Sequence, residues 1–259
     1  MNDLDLIIAA AKEAGELALS ARESGLKIWS KEGGSPVTDA DLAVDTLLKT
    51  ELGAERPDYG WLSEETADDP ARLSTTRQFV VDPIDGTVAF MKGKPWFAVS
   101  IAVVENGQPI AGVVHAPALN ETYAATFDGP ATLNGAPIAP STTSELFGAA
   151  MLGDAKMFAH PAWREPWPDM RVESRNSIAY RVCLVAAGVF DAAIALSPKS
   201  EWDVAAADLI RRRAGAMLTD HKGREFVYNQ PVPLVPSLVC ANKALHPLIL
   251  SRVGHIELP

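Results

Sequence analysis

The chain has 259 residues, 47% of them apolar and 22% charged, with a formal net charge of −10. That length suits one large domain or two packed lobes with a sizeable core, and the composition is that of a globular enzyme in water. The negative balance argues against general nucleic-acid binding. No apolar run approaches the roughly 20 residues needed to cross a bilayer, and a start carrying Asp3 and Asp5 does not read as a secretory signal, so the expectation is a cytoplasmic protein with no membrane partner.

Leu4, Ile7, Ile8, Ala11, Ala14, Leu17, Ala18 and Ala21 recur at helical spacing, which predicts an amphipathic helix over residues 3–23, ended by Gly25. A loop with Gly33, Gly34 and Pro36 follows, and Thr38 or Asp39 can cap a second helix. Short strands are expected at Tyr59–Leu62, leading into Glu64, and at Gln78–Val81, ending at Asp82. Longer ones are expected over 97–104 and 110–115, joined at Asn106-Gly107, a strong hairpin signal. Glu121–Phe127 closes an antiparallel meander. Beyond a loop at 137–144 the pattern alternates: helix 177–187, strand 191–195, helix 204–213, strands 217–219 and 234–240, and a last helix over 244–252. The fold class is therefore α/β, with an α+β first lobe (1–145) and an α/β second lobe (146–259). Cys183 and Cys240 fall in apolar stretches and read as two buried thiols rather than a disulfide.

The acids are unevenly spread. Between Thr38 and Thr87 twelve acids face four bases, so this segment holds most of the excess negative charge. Asp58, Asp68 and Asp69 read as a solvated face, but Val80-Val81-Asp82-Pro83-Ile84-Asp85-Gly86-Thr87 is different. An apolar strand runs into Asp82, Pro83 has no N–H for further pairing, and a turn at Asp85-Gly86 can aim both carboxylates at one place. Hard oxygen ligands of this kind suit magnesium. A helix starting after Asp85 would add the N–H groups of Gly86 and Thr87 as holders of phosphate oxygens. The same run also reads as a strand end with an Asp-Gly turn and no ligand. Three further segments carry acids at comparable places: Glu64-Glu65 after a short strand, Trp202-Asp203 opening an apolar helix, and Thr38-Asp39-Ala40-Asp41. In a strand, neighbouring side chains point to opposite faces, so only one of Glu64 and Glu65 should face the site. Asp203 reads as the N-cap of its helix, which is compatible with ligation.

In this order and at these separations, the four segments resemble the inositol monophosphatase superfamily, which includes nucleoside bisphosphate, histidinol-phosphate and fructose bisphosphate phosphatases. The resemblance runs from Lys31 to Gly223 and rests on Asp-Pro-Ile-Asp-Gly-Thr followed far downstream by Trp-Asp-x-Ala-Ala. It implies a layered α-β-α-β-α sandwich and a hydrolase that uses two or three magnesium ions on a small phosphorylated metabolite, without a covalent intermediate. It implies that Glu64, Asp82, the Ile84 carbonyl, Asp85 and Asp203 hold metal, that Asp41 and Thr87 orient the attacking water, and that Glu65 stands behind the ligands. Lys31 matches a loop lysine that approaches a third metal. Lithium sensitivity and a homodimer are implied by resemblance alone.

For the substrate, the inositol branch carries a glutamate seven residues before the Trp-Asp aspartate; here that position is Leu196, which disfavours inositol unless a neighbour such as Glu201 substitutes. The run Tyr180-Arg181-Val182-Cys183-Leu184-Val185-Ala186 is similar to the nucleoside 3'(2'),5'-bisphosphate branch. There Arg181 would hold a second phosphate, and Tyr180 would stack on a base; Arg181 reads equally as a structural ion pair. Ala89-Phe90 is similar to histidinol-phosphate phosphatases and keeps that substrate open, with inositol 1-phosphate. The reading from another class is a non-catalytic regulator on the same fold, associated with RNA and transcription. Arg211-Arg212-Arg213 fans round a helix and reads as a solvated helix end.

Overall fold

A computed structural model of the chain describes residues 1–31 and 34–258. The expectation of a loop at Gly33 lies outside the described residues. Helix α1 (Asp3–Ser24) is followed by the short antiparallel pair β1 (Ile28–Ser30) and β2 (Pro36–Thr38), then by α2 (Asp39–Glu55). Strands β3 (Gly60–Ser63) and β4 (Arg77–Asp85) lead to α3 (Thr87–Met91) and then to β5 (Ala98–Glu105), β6 (Gln108–Ala116), β7 (Glu121–Thr126), β8 (Thr132–Leu133) and β9 (Ala136–Pro137). The chain continues through β10 (Ala150–Leu152), α4 (Ala155–Phe158), β11 (Arg171–Glu173), α5 (Ile178–Ala186), β12 (Ala192–Ala195), β13 (Lys199–Ser200) and α6 (Glu201–Ala214). It ends with β14 (Met217–Thr219), β15 (Leu234–Val235), β16 (Leu238–Ala241) and α7 (Leu245–Val253).

Strands β3 to β9 form one sheet in sequence order, antiparallel except for the β3–β4 pair. A second sheet has the order β11-β10-β12-β16-β14, with β11, β10 and β12 parallel. Alternation along the strands decides what each face covers. Phe79 and Val81 of β4 join Ile101 and Val113 under α1 and α2, whereas Val80 joins Ala102 and Val114 under α5 and α6. The second sheet does the same. Leu152, Ala193 and Cys240 pack toward α5 and α6, and Met151, Ala192 and Val239 pack toward α7. The layers are therefore α1/α2, large sheet, α5/α6, small sheet, α7, the α-β-α-β-α sandwich that the resemblance implies. Cys183 and Cys240 are buried free thiols in the central layer interface. No helix among the described residues is long and apolar enough to cross a membrane.

Two features of this architecture place the site. Period-two alternation puts Asp82 on the same face as Val80, the face that α5 and α6 cover. Helix α6 lies very close over that sheet: a Cβ at Gly112 of β6 would stand 2.9 Å from the Ala206 carbonyl oxygen. The N-terminal ends of α5 and α6 are thus held against the end of β4.

The structure departs from the sequence expectations at several points. Strand β4 does not end at Asp82. It runs to Asp85 with a register shift after Asp82, because Pro83 forces a bulge rather than a stop. The single strand expected over 234–240 is two strands in two sheets, broken at Pro236. Helix α6 begins three residues earlier than expected, with Ser200 as its N-cap and Asp203 at its third position. The Arg211–Arg213 run is only in part the solvated end expected, with Arg213 exposed. Arg211 is buried against Asp208, Arg212 donates to Gln108, and Arg213 donates to the Gly129 carbonyl. Asn106 and Gly107 both take positive φ (51° and 76°), the conformation a two-residue hairpin requires.

Candidate active site

The bulge at Pro83-Ile84 brings Asp82 and Asp85 to the α5/α6 side together. Asp82 is buried, and its Oδ1 accepts from the Ile84 N–H at 3.1 Å. Asp85 is held by the first turn of α5. Its Oδ2 accepts from Ser177 Oγ at 2.6 Å and from the Ala179 N–H at 2.7 Å, and its Oδ1 accepts from the Ile178 N–H at 3.1 Å. Asp203 reaches in from α6, where its Oδ2 accepts from the Ser200 N–H at 2.9 Å in a capping box. One carboxylate oxygen from each of Asp82, Asp85 and Asp203 lies within 4.8 Å of the others.

A second group adjoins them. Thr38 caps α2 and binds Asp41, whose Oδ2 accepts from the Thr38 N–H at 2.8 Å and from Thr38 Oγ1 at 2.5 Å. Thr87 opens α3, with its Oγ1 3.3 Å from Asp41 Oδ1 and 3.2 Å from the Ile84 carbonyl. A hydroxyl has one proton, so it serves one of these acceptors at a time. Gly86, the N-cap of α3, has φ 97°, and a Cβ there would stand 2.9 Å from the Ser177 nitrogen and 3.0 Å from the Trp96 carbonyl. The expectation for Glu64 and Glu65 is corrected. Both follow the end of β3 rather than continuing it, and both face Lys31, whose Nζ donates to Glu64 Oε1 at 2.9 Å and to Glu65 Oε1 at 2.7 Å.

Burial first, and the crowding of these anions after it, raises their proton affinity. Burial pushes Asp85 up to about 6, against the pull of its three hydrogen bonds. Burial and then the charge of Asp85 push Asp203 up to about 7. Asp82 is raised well above the usual carboxylate range, by burial first and then by Glu64, Asp85 and Asp203. Glu65 is pushed up to about 7 by burial, with Lys31 opposing, and Asp41 is raised by burial. Converging hard oxygens that repel one another fit a small divalent cation, which would relieve the repulsion by reversing the local sign.

On the substrate side the two residues fare differently. Tyr180 is buried, its hydroxyl donates to Glu121 Oε2 at 3.0 Å, and its ring packs edge-on against Tyr123. A ring enclosed in this way offers no face to a base, so the stacking expectation is corrected. Arg181 is part-buried; its Nε donates to the Arg175 carbonyl at 2.5 Å, and it makes no ion pair among the described residues.

A model of the inositol monophosphatase family matches residues 2–257. The chain belongs to the inositol monophosphatase family. It is 37% identical to the histidinol-phosphatase of Mycobacterium tuberculosis, over 98% of each chain. It is 31% identical to the 3'(2'),5'-bisphosphate nucleotidase CysQ of Escherichia coli K12, over 87% of this chain and 93% of the relative. Among solved structures, a Thermotoga maritima IMPase superposes with a TM-score of 0.85 at 28% identity, covering 98% of this chain and 97% of that one. The family is one of metal-dependent phosphatases, and this member is a phosphoric monoester hydrolase.

Within the family frame two further placements matter. Leu196 packs against the apolar side chains between the small sheet and α7, and Glu201, the candidate substitute, is buried and accepts from the Asn229 and Gln230 N–H groups at 2.7 and 2.9 Å. Neither offers a carboxylate to an inositol ring. Sequence reasoning missed Ser177, which holds Asp85 from a strained φ of 60°. Its position just before an apolar helical run was the available signal. It also missed Asp45, which accepts from Ser63 Oγ at 2.5 Å and from Thr66 Oγ1 at 2.6 Å and so fixes the turn carrying Glu64 and Glu65.

Proposed function

We propose that this phosphatase is a magnesium-dependent phosphomonoesterase acting on a nucleoside 3'(2'),5'-bisphosphate. The observation that carries the reading is the convergence of Asp82, Asp85 and Asp203 on one point, beside Thr87 and Asp41. Asp82, Asp85, Asp203, the Ile84 carbonyl and Glu64, whose Oε2 has no partner among the described residues, would hold two or three magnesium ions. Bound there, magnesium would supply a water of lowered pKa and positive charge for the leaving oxygen. Thr87 Oγ1 orients that water, and the buried Asp41 carboxylate holds the threonine proton in place. The N–H groups of Gly86 and Thr87 take phosphate oxygens, and Glu65 holds Lys31 beside Glu64.

Arg181, without an ion-pair partner among the described residues, supports a second phosphate on the substrate, and the CysQ relative agrees with it. The 37% identity to a histidinol-phosphatase favours histidinol phosphate as the second reading. Phosphate release with magnesium from adenosine 3',5'-bisphosphate, histidinol phosphate, inositol 1-phosphate and fructose 1,6-bisphosphate separates them. The highest kcat/KM should fall on the nucleotide; a preference for histidinol phosphate would overturn the substrate assignment. A cytoplasmic homodimer, lithium sensitivity and a lobe division at residues 145/146 belong to the same proposal.

A further inference from the structure

Arg72 is buried between two stretches of chain that both serve the site. It lies in a short 3-10 turn (Pro70–Ser74), on the path of the chain from Glu64 to Asp82. Its guanidinium forks onto Asp68, with Nε 2.6 Å from Oδ1 and Nη2 2.9 Å from Oδ2. Its other contacts cross to a distant segment. Nη1 donates to Asn229 Oδ1 at 2.7 Å, and Nη2 donates to the Gln230 carbonyl at 3.0 Å. A buried guanidinium with all these acceptors in place is fully engaged, and each acceptor is held by it in turn.

The start of α6 lies on the other side of that segment. The N–H groups of Asn229 and Gln230 donate to the two oxygens of Glu201, the first residue of α6, and the Glu201 N–H donates to the Pro233 carbonyl at 2.9 Å. Tyr228 anchors the segment from behind: its N–H donates to the Gly107 carbonyl at 3.0 Å, and its hydroxyl donates to Asp208 Oδ2 at 2.9 Å. Residues 228–230 are thus a wedge gripped by Arg72 on one side and by Glu201 on the other. Two residues beyond Glu201 stands Asp203, which meets Asp82 and Asp85 from a different element. The first turn of a helix is its least constrained part, because its N–H groups have no partners within the helix. Whatever holds Glu201 therefore helps to set where Asp203 stands.

We infer that Arg72 is a positioning residue for Asp203, acting through Asn229, Gln230 and Glu201 to fix the first turn of α6 at its distance from Asp82 and Asp85. The inference rests on the reading of Asp203 as a magnesium ligand and goes beyond it, since Arg72 has no hydrogen bond to the acidic cluster among the described residues. The role asks for arginine rather than any cation. A planar fork serves Asp68 with two nitrogens while reaching two acceptors on the wedge, which one ammonium cannot do at once. The link also joins the two parts of the chain that supply the acids, residues 64–85 and the start of α6.

The test is calorimetric magnesium binding by the substrate-free protein, with melting temperatures measured alongside. Arg72→Met should weaken magnesium binding about tenfold, the low end for losing support behind a metal ligand, and Arg72→Lys should fall between it and wild type. Asn229→Gly keeps the left-handed backbone (φ 60°) and the N–H to Glu201 and removes only the acceptor of Nη1. It should weaken binding in the same direction, and it keeps the test decisive if Arg72→Met does not fold. Asp68→Asn disturbs the ion pair and leaves the contacts to residues 229 and 230. It should lower the melting temperature with the magnesium Kd unchanged, a split that a merely structural arginine would not give. A magnesium Kd equal to wild type in Asn229→Gly and in each folded Arg72 variant overturns the inference. Asp203→Asn separates the two readings. Binding there as tight as in wild type removes Asp203 from the metal site and the positioning role with it; weakened binding there, with wild-type binding in the Arg72 and Asn229 variants, removes the positioning role alone.

Discussion

The raised proton affinities of the acidic cluster predict a pH dependence of stability with a definite sign. Asp85 is fully buried and raised from 3.8 to about 6. Raising a pKa by one is worth about 1.4 kcal/mol, so keeping Asp85 ionised costs the metal-free fold on the order of 3 kcal/mol at pH 8. Asp203 is raised to about 7 by burial and then by the charge of Asp85, so the two costs do not add. A carboxyl whose folded pKa lies above its unfolded value binds more protons in the folded state between those values. Its contribution is fully present below about pH 4 and is lost as pH rises through 6 to 7. The metal-free protein should therefore lose stability between pH 4 and 7, and less so in Asp85→Asn, which removes one charge. For a chain of this size, 3 kcal/mol corresponds to a melting shift of roughly 6–12 °C. Magnesium acts in the opposite direction, because it binds the ionised cluster. The magnesium-induced rise in melting temperature should be large at pH 8, small at pH 5, and much reduced in Asp85→Asn. Scanning fluorimetry across pH, with and without magnesium, measures this directly. A magnesium shift of equal size at pH 5 and pH 8 would refute the reasoning.

Gly86→Ala should destabilise the protein by at least about 1–2 kcal/mol, since φ 97° is left-handed and the new Cβ would meet Ser177 and Trp96. It should also lower phosphate release by misplacing α3; unchanged melting and turnover would contradict the close approach. Thr87→Val should lower kcat by about a hundredfold or more with little change in KM, as expected for loss of a proton-positioning hydroxyl. Thr87→Ser should keep most of the rate, and a Thr87→Val enzyme as fast as wild type would remove Thr87 from the reaction.

Much of the site is legible in the sequence because local chemistry fixes it. A strand running into Asp-Pro-Ile-Asp-Gly-Thr has to turn, and period-two alternation gives Asp82 the face of Val80. Thr38 is one of the two caps that spacing offers for α2, and the structure uses it, with Asp41 completing a capping box. What escapes the sequence depends on contacts between distant elements. Tyr180 and Arg181 are neighbours on one helix, and only the packing of α5 against Tyr123 and Glu121 decides which of them is enclosed. Glu64 and Glu65 would point apart on a strand, but the strand ends at Ser63 and Lys31 collects both. The bulge that carries β4 on to Asp85 depends on pairing with Ala98, and the anchoring of Asp85 by Ser177 joins residues 92 positions apart.

The most direct test is a magnesium titration of phosphate release from adenosine 3',5'-bisphosphate by wild type and by Asp203→Asn, which keeps an oxygen to accept from the Ser200 N–H. The account predicts saturable activation of wild type, no release in chelator, and at least about a hundredfold loss in an Asp203→Asn protein that melts like wild type. Undiminished release in chelator, or by the folded variant at saturating magnesium, would contradict it.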